Sequence, residues 1–234
     1  IQEGMSDKRY RFILFDADGT LLDYEKSEEA ALQASLEEEG IPYRKEDHLE
    51  VYRIINQELW ELFEQGGIRA DDLRIERFRR FLQELNLETD PVPISRRYLG
   101  HLAQEAHLYD GAEKVLKRLK PRYTLGIVTN GLREVQRNRF SRTVLPAYMD
   151  CIIVSDEVGV QKPDPAIFRL ALEAAGHQEP GTTLVVGDSL TSDIQGGWNA
   201  GMDTCWFNPG GKGNITNLRP TYEIRDLIEL LQIL

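Results

Sequence analysis

The sequence predicts an α/β fold, a doubly wound parallel sheet carrying an inserted all-helical segment. Three observations predict it. Short continuous apolar runs recur along the chain, as expected for strands buried on both faces. Helical patterns of one to three turns separate most of them, which is the alternation of a parallel sheet. One long stretch, residues 22–108, has helical periodicity throughout and no convincing strand.

The first strand is Tyr10–Phe15 (YRFILF), ending at Asp16. Further strands are expected at Tyr123–Val128, Cys151–Val154 and Thr183–Val186, with a weaker one at Thr204–Phe207. The spacing predicts helices over Gly111–Leu119, Leu132–Phe140, Pro165–Ala175, Ser192–Ala200 and Asp226–Leu234. Within the insert, a helix over Ser27–Glu39 stops at Gly40, a common C-terminal signal. Glu46–Phe63 carries Val51, Ile54, Ile55, Leu59, Leu62 and Phe63 at helical spacing, and Gly66-Gly67 breaks it. Asp71–Leu85 and Ile94–Leu108 complete the set. The expected domains are therefore a core of residues 5–21 and 109–234 and a helical domain of residues 22–108. Residues 1–4, before Met5, read as an appended remnant.

Composition narrows the function. The 234 residues carry a formal net charge of −11, so a nucleic acid polymer is an unfavourable partner. A small anionic substrate needs a local positive site to overcome the general repulsion. No apolar run approaches the roughly 20 residues needed to span a bilayer, and no signal peptide is evident. The two cysteines, Cys151 and Cys205, lie in strand-like surroundings and read as buried reduced thiols, which points to the cytoplasm. The four histidines show no metal-site spacing, and nothing marks an oligomer interface.

The chemistry-bearing residues all fall just past the C-terminal end of an expected strand, the edge where open parallel sheets bind ligands. Asp16-Ala17-Asp18-Gly19-Thr20 places two carboxylates two residues apart as the chain leaves the first strand. Such carboxylates can hold a hard cation or attack phosphorus; a plain Asp- and Thr-capped turn is the structural alternative. Thr129-Asn130-Gly131 offers a hydroxyl and backbone N–H groups for phosphate oxygens, or simply an Asn-Gly turn. Lys162-Pro163 offers a cation on a stiffened loop. Gly187-Asp188 follows the fourth strand as Asp16 follows the first, and Asp193 stands one turn further on, where it could equally cap a helix. Asp16, Asp18, Asp188 and Asp193 together would crowd four negative charges into one cleft. They stay ionised only with compensation, which Lys162 and Mg²⁺ would supply.

The ordered set Asp16-x-Asp18-Gly-Thr, Thr129-Asn130, Lys162-Pro163 and Gly187-Asp188-x₄-Asp193 resembles the haloacid dehalogenase (HAD) superfamily of phosphatases over almost the whole chain. The insert resembles that superfamily's helical cap. Residues 55–64, Asp188–Pro209 and Pro220–Arg225 are similar to the bacterial pyrimidine 5′-nucleotidase branch; Gly19 departs from it, since an acidic residue or Asn is common there, and leans toward sugar-phosphate phosphatases. The resemblance implies a Mg²⁺-dependent phosphatase acting through a phosphorylated Asp16. Asp18 would be general acid and base; Asp16, the Asp18 backbone carbonyl and Asp188 would hold the metal, and Asp193 would complete the metal site by holding a metal-bound water or Lys162. Lys162 would balance charge and contact phosphate. Thr129 and Asn130 would orient phosphate oxygens. The cap would close over the site, with Asn56, Trp60 and Phe63 as candidate substrate contacts; an aromatic at helical spacing is otherwise core packing. A phosphomutase shares this core and these motifs. A dehalogenase has less use for Asp18 or a metal, and an ion pump needs membrane spans. A non-catalytic metal-bound interaction module is the alternative from another class.

Overall fold

Every strand expected from an apolar run is present in the computed structural model, which describes residues 9–234, so the expected N-terminal remnant lies outside the described residues. The strands are β1 (Phe12–Phe15), β2 (Thr124–Thr129), β3 (Cys151–Val154), β4 (Thr183–Gly187) and β5 (Asp203–Phe207). A sixth, β6 (Tyr222–Ile224), was not expected. All pair in parallel in the order β3-β2-β1-β4-β5-β6. β1 is central and fully buried, which is why its four residues are all apolar. Strand order reverses where β1 lies between β2 and β4, the topological switch point at which such sheets bind ligands. On one face Phe12, Leu14, Val128 and Val185 pack with Ile167, Phe168, Ala171 and Leu172 of the helix Pro165–Ala174. That helix starts as its sequence dictates: Asp164 accepts a hydrogen bond from the Ala166 N–H and Pro165 takes the first turn.

The described chain divides into two units. One comprises the sheet, its helices and their connections. The other comprises residues 24–107 together with residues 132–142. The helical unit contains α1 (Tyr24–Glu38), α2 (Lys45–Glu64), α3 (Ala70–Glu84) and α4 (Pro91–Leu102). Its core joins Leu32, Leu36, Tyr52, Leu59, Phe78, Phe81, Ile94 and Tyr98. Two differences from expectation have local causes. The helix Arg133–Ser141, expected to flank the sheet, belongs to the helical unit: Val135 is buried in that unit's core, and Arg139 donates to Glu105 O and Ser27 Oγ. The fourth helix runs over Pro91–Leu102 rather than Ile94–Leu108: it starts earlier because Asp90 accepts from Val92 N and Pro91 opens the first turn, and beyond its end Leu108 bridges Leu22.

No helix among the described residues is long and apolar enough to cross a membrane. Cys151 and Cys205 are free and buried.

Candidate active site

The tips of β1 and β4 lie side by side because their registers pair Phe15 with Val186. The next residue on β1 is Asp16, whose N–H donates to Val186 O at 2.8 Å. The chain then turns tightly: Leu21 and Leu22 both donate to Ala17 O, and Gly19, at φ +86°, adopts a conformation that favours glycine. Thr20 in that turn is buried, and its hydroxyl lies 3.3 Å from Asp16 Oδ2 and 3.5 Å from Asp188 Oδ1.

After β4, Ser189 caps a wide turn in which Ile194 N donates back to Ser189 O. The turn buries Asp193 and aims it back at the strand, where its Oδ2 accepts from Ser189 N at 3.0 Å. Asp188 is held from below by the Trp206 indole, which donates to its carbonyl at 2.9 Å. Lys162 is buried, and its Nζ donates to Asp16 Oδ1 and Asp193 Oδ1, each at 2.6 Å. The carboxylates of Asp16, Asp188 and Asp193 offer oxygens all within 4.8 Å of one another.

Charge in this cluster does not balance. Burial, then the neighbouring Asp193 and Asp188, hold the Asp16 carboxyl well above the ordinary range, and Lys162 offsets this only in part. Asp188 is an exposed residue, yet the protein packed around its carboxyl and then Asp193 push it up to about 7. For Lys162, burial alone would lower the pKa, but Asp16 and Asp193 outweigh it and keep the ammonium charged. Three carboxylates face one ammonium. An oxygen-only donor set with excess negative charge fits a hard divalent cation such as Mg²⁺.

Asp16, Lys162, Asp188 and Asp193 are thus brought together. Asp18 is partly exposed on the turn after β1 and is not among the three clustered carboxylates, so a side-chain role at the metal is not what this geometry favours. Thr129 is fully buried at the end of β2, and Asn130 follows it with its side chain bonded to the main chain of Lys162. Both oxygens of Asp193 are engaged, one on Lys162 and one on Ser189 N, so its place is beside the lysine.

The structure corrects one substrate candidate. Asn56 is buried in the helical unit. Its Nδ2 donates to Glu28 Oε1 at 3.0 Å and Tyr24 OH at 3.4 Å, and its Oδ1 accepts from Arg77 at 2.9 Å. It ties two buried charges together rather than offering a group to a ligand. Trp60 is partly exposed and stacks edge-on against Phe63 with centroids 5.5 Å apart. Trp206 and Ser155, whose Oγ accepts from Gly131 N, are functional neighbours that carry no signal in the sequence. Thr20 carries one, its place in the Asp-x-Asp-Gly-Thr segment.

A central strand tip bearing a buried carboxylate, paired with a lysine and flanked by two more acids at a switch point, is an arrangement able to hold a cation or to present a nucleophilic oxygen to a ligand. Residues 13–207 match the model of the haloacid dehalogenase-like hydrolases, and the chain belongs to that family. The expectation of an enzyme of the hydrolase class is met. YfnB of Bacillus subtilis is 40% identical over 97% of this chain and 96% of its own. PynA of Streptococcus pneumoniae, a pyrimidine 5′-nucleotidase, is 37% identical over 96% of this chain and 95% of its own. YjjG of Escherichia coli, also a pyrimidine 5′-nucleotidase, is 34% identical over 97% and 98%. A crystal structure of YfnB bound to magnesium, which reveals interdomain movement in that protein, superposes with a TM-score of 0.91 over 97% of this chain and 99% of that one.

Proposed function

We propose that this protein is a Mg²⁺-dependent phosphatase that hydrolyses nucleoside 5′-monophosphates, pyrimidine ones foremost, through an aspartyl-phosphate on Asp16. The observation that carries the proposal is the buried Asp16 carboxylate held 2.6 Å from Lys162 at the tip of the central strand.

Asp16 attacks phosphorus, forming its O–P bond as the bond to the nucleoside oxygen breaks. Asp18 gives a proton to the departing oxygen, then takes one from the water that attacks the phospho-aspartate. That attack breaks the Asp16 O–P bond and frees inorganic phosphate. Lys162 offsets the negative charge of Asp16 and of the phosphate, and Asp193 holds its ammonium in place. Thr129 and the backbone N–H groups after β2 orient phosphate oxygens. Asp16 and Asp188 would hold the metal, with the Asp18 carbonyl as a third ligand. When bound, Mg²⁺ screens the approach of an anionic nucleophile to an anionic phosphate.

The nucleotide reading is supported by the pyrimidine 5′-nucleotidases among the relatives. We assign substrate selection to the helical domain of residues 22–108, with Trp60 as the candidate base-stacking face. The two buried free thiols suit a reducing cytoplasm. A screen of purified protein against nucleoside monophosphates and sugar phosphates, with and without Mg²⁺, tests the proposal. Preferential release of phosphate from pyrimidine monophosphates supports it. Broad sugar-phosphate turnover replaces the substrate, isomerisation without phosphate release indicates a mutase, and metal-independent or absent turnover removes the reading.

A further inference from the structure

The main chain of Lys162 is gripped by one side chain from a loop 32 residues earlier. Asn130 Nδ2 donates to Lys162 O at 3.0 Å, and Lys162 N donates to Asn130 Oδ1 at 2.8 Å. The pair matches a primary amide against one residue's N–H and C=O. Both polar atoms of the Asn130 side chain are thereby committed to protein. The loop that carries Asn130 is itself anchored, because Gly131 N donates to Ser155 Oγ at 3.1 Å, next to β3.

The far end of Lys162 needs such an anchor. Its ammonium is a point charge on a flexible four-carbon stem with many rotamers. It must sit between Asp16 and Asp193, 2.6 Å from each, inside a buried cluster. A shift of the Lys162 main chain moves the charge directly, since the stem has no other polar contact along its length. No other residue type reproduces the grip. Asp keeps the acceptor for Lys162 N but turns a second oxygen toward Lys162 O. Ala and Ser cannot span both groups, and Gln is a methylene too long.

We infer that the side chain of Asn130 is a positioning residue that acts on the reaction through Lys162, fixing that residue's main chain so that its ammonium stays between Asp16 and Asp193. The inference rests on the role given to Lys162 under the proposed function. Mg²⁺-dependent hydrolysis of an aryl phosphate by wild type, Asn130→Ala, Lys162→Met and the double variant forms a double-mutant cycle. Asn130→Ala should lower kcat/KM by about 10- to 100-fold. In the Lys162→Met background the same change should cost less than about twofold, because the group it positions is gone.

A second readout needs no turnover. The Lys162 ammonium signal in ¹⁵N NMR, assigned by its loss in Lys162→Met, should shift or broaden in Asn130→Ala while the melting temperature shows a folded protein. If Asn130→Ala fails to fold, Asn130→Asp takes its place in both measurements with the same coupled outcome expected. Equal factors in the two backgrounds, or an unchanged Lys162 signal, overturn the inference while leaving the phosphatase reading intact. Absence of wild-type activity removes that reading and leaves the NMR signal to decide the inference.

Discussion

Gly187 is the last residue of β4, and its lack of a side chain is what lets Asp193 reach Lys162. A Cβ placed on Gly187 would overlap the carboxyl group of Asp193. Close packing leaves no slack there, so in Gly187→Ala the carboxyl must retreat by about 1 Å. Such a retreat breaks the 2.6 Å contact to Lys162 Nζ and the 3.0 Å bond from Ser189 N together. A displacement of that size costs about 10²-fold in rate when it misplaces a charged group at a reacting centre. Overpacking a buried position costs about 1–3 kcal/mol, which for a chain of this size lowers the melting temperature by about 2–12 °C. Mg²⁺-dependent hydrolysis of an aryl phosphate and thermal melting measure the two effects. Gly181→Ala is the control, since a Cβ there meets nothing within 4 Å, and it should leave both unchanged. Retention of more than half the activity in Gly187→Ala would show that Asp193 does not need its place beside Lys162.

Three further outcomes are expected. Asp188 is pushed up to about 7 and Asp16 is raised as well, so the metal-free folded protein holds protons that the unfolded chain loses near pH 4. Its stability should therefore fall as pH rises from about 4 to 7, and Mg²⁺ affinity should rise over the same window by up to about tenfold per pH unit for each proton displaced, then level off; melting curves and a metal titration between pH 5 and 8.5 would contradict this if both were flat. Asn56→Ala strands buried Glu28 and Arg77, and should cost about 2–4 kcal/mol, or about 4–16 °C in melting temperature, with KM unchanged. A raised KM with an unaltered melting temperature would instead return Asn56 to substrate binding. Trp60→Ala should raise KM for nucleoside monophosphates while sparing an aryl phosphate, and equal KM values across nucleotides would end its role as a stacking face.

Much of the fold was legible because burial on both faces leaves a direct trace: β1 to β5 are continuous apolar runs, and their boundaries shifted by one or two residues at most. β6 left little trace, having three residues of which only Ile224 is buried. The placing of Arg133–Ser141 in the helical unit was invisible, since an apolar face at Leu132 and Val135 shows that a helix packs but not on what. In the site, the acids announced themselves by following buried strands. Lys162 was legible as the cation such acids require, but not which of them it bonds: it reaches Asp193 across 31 residues and Asp16 across 146, and only the sheet order brings those loops together. The buried role of Asn56, a candidate through the resemblance, was illegible because helical spacing does not tell which polar residue meets a buried counterpart such as Arg77.

The chemistry assigned to Asp16 can be caught in the act. Protein quenched during turnover of a nucleoside monophosphate with Mg²⁺ and reduced by borohydride should carry homoserine at position 16, seen by peptide mass spectrometry, since the reagent reduces an acyl phosphate and spares a free carboxylate. The modification should require substrate and should vanish in Asp16→Asn. Turnover with residue 16 unmodified, or with the label on another acid, would contradict the assignment of Asp16 as the group that takes the phosphoryl.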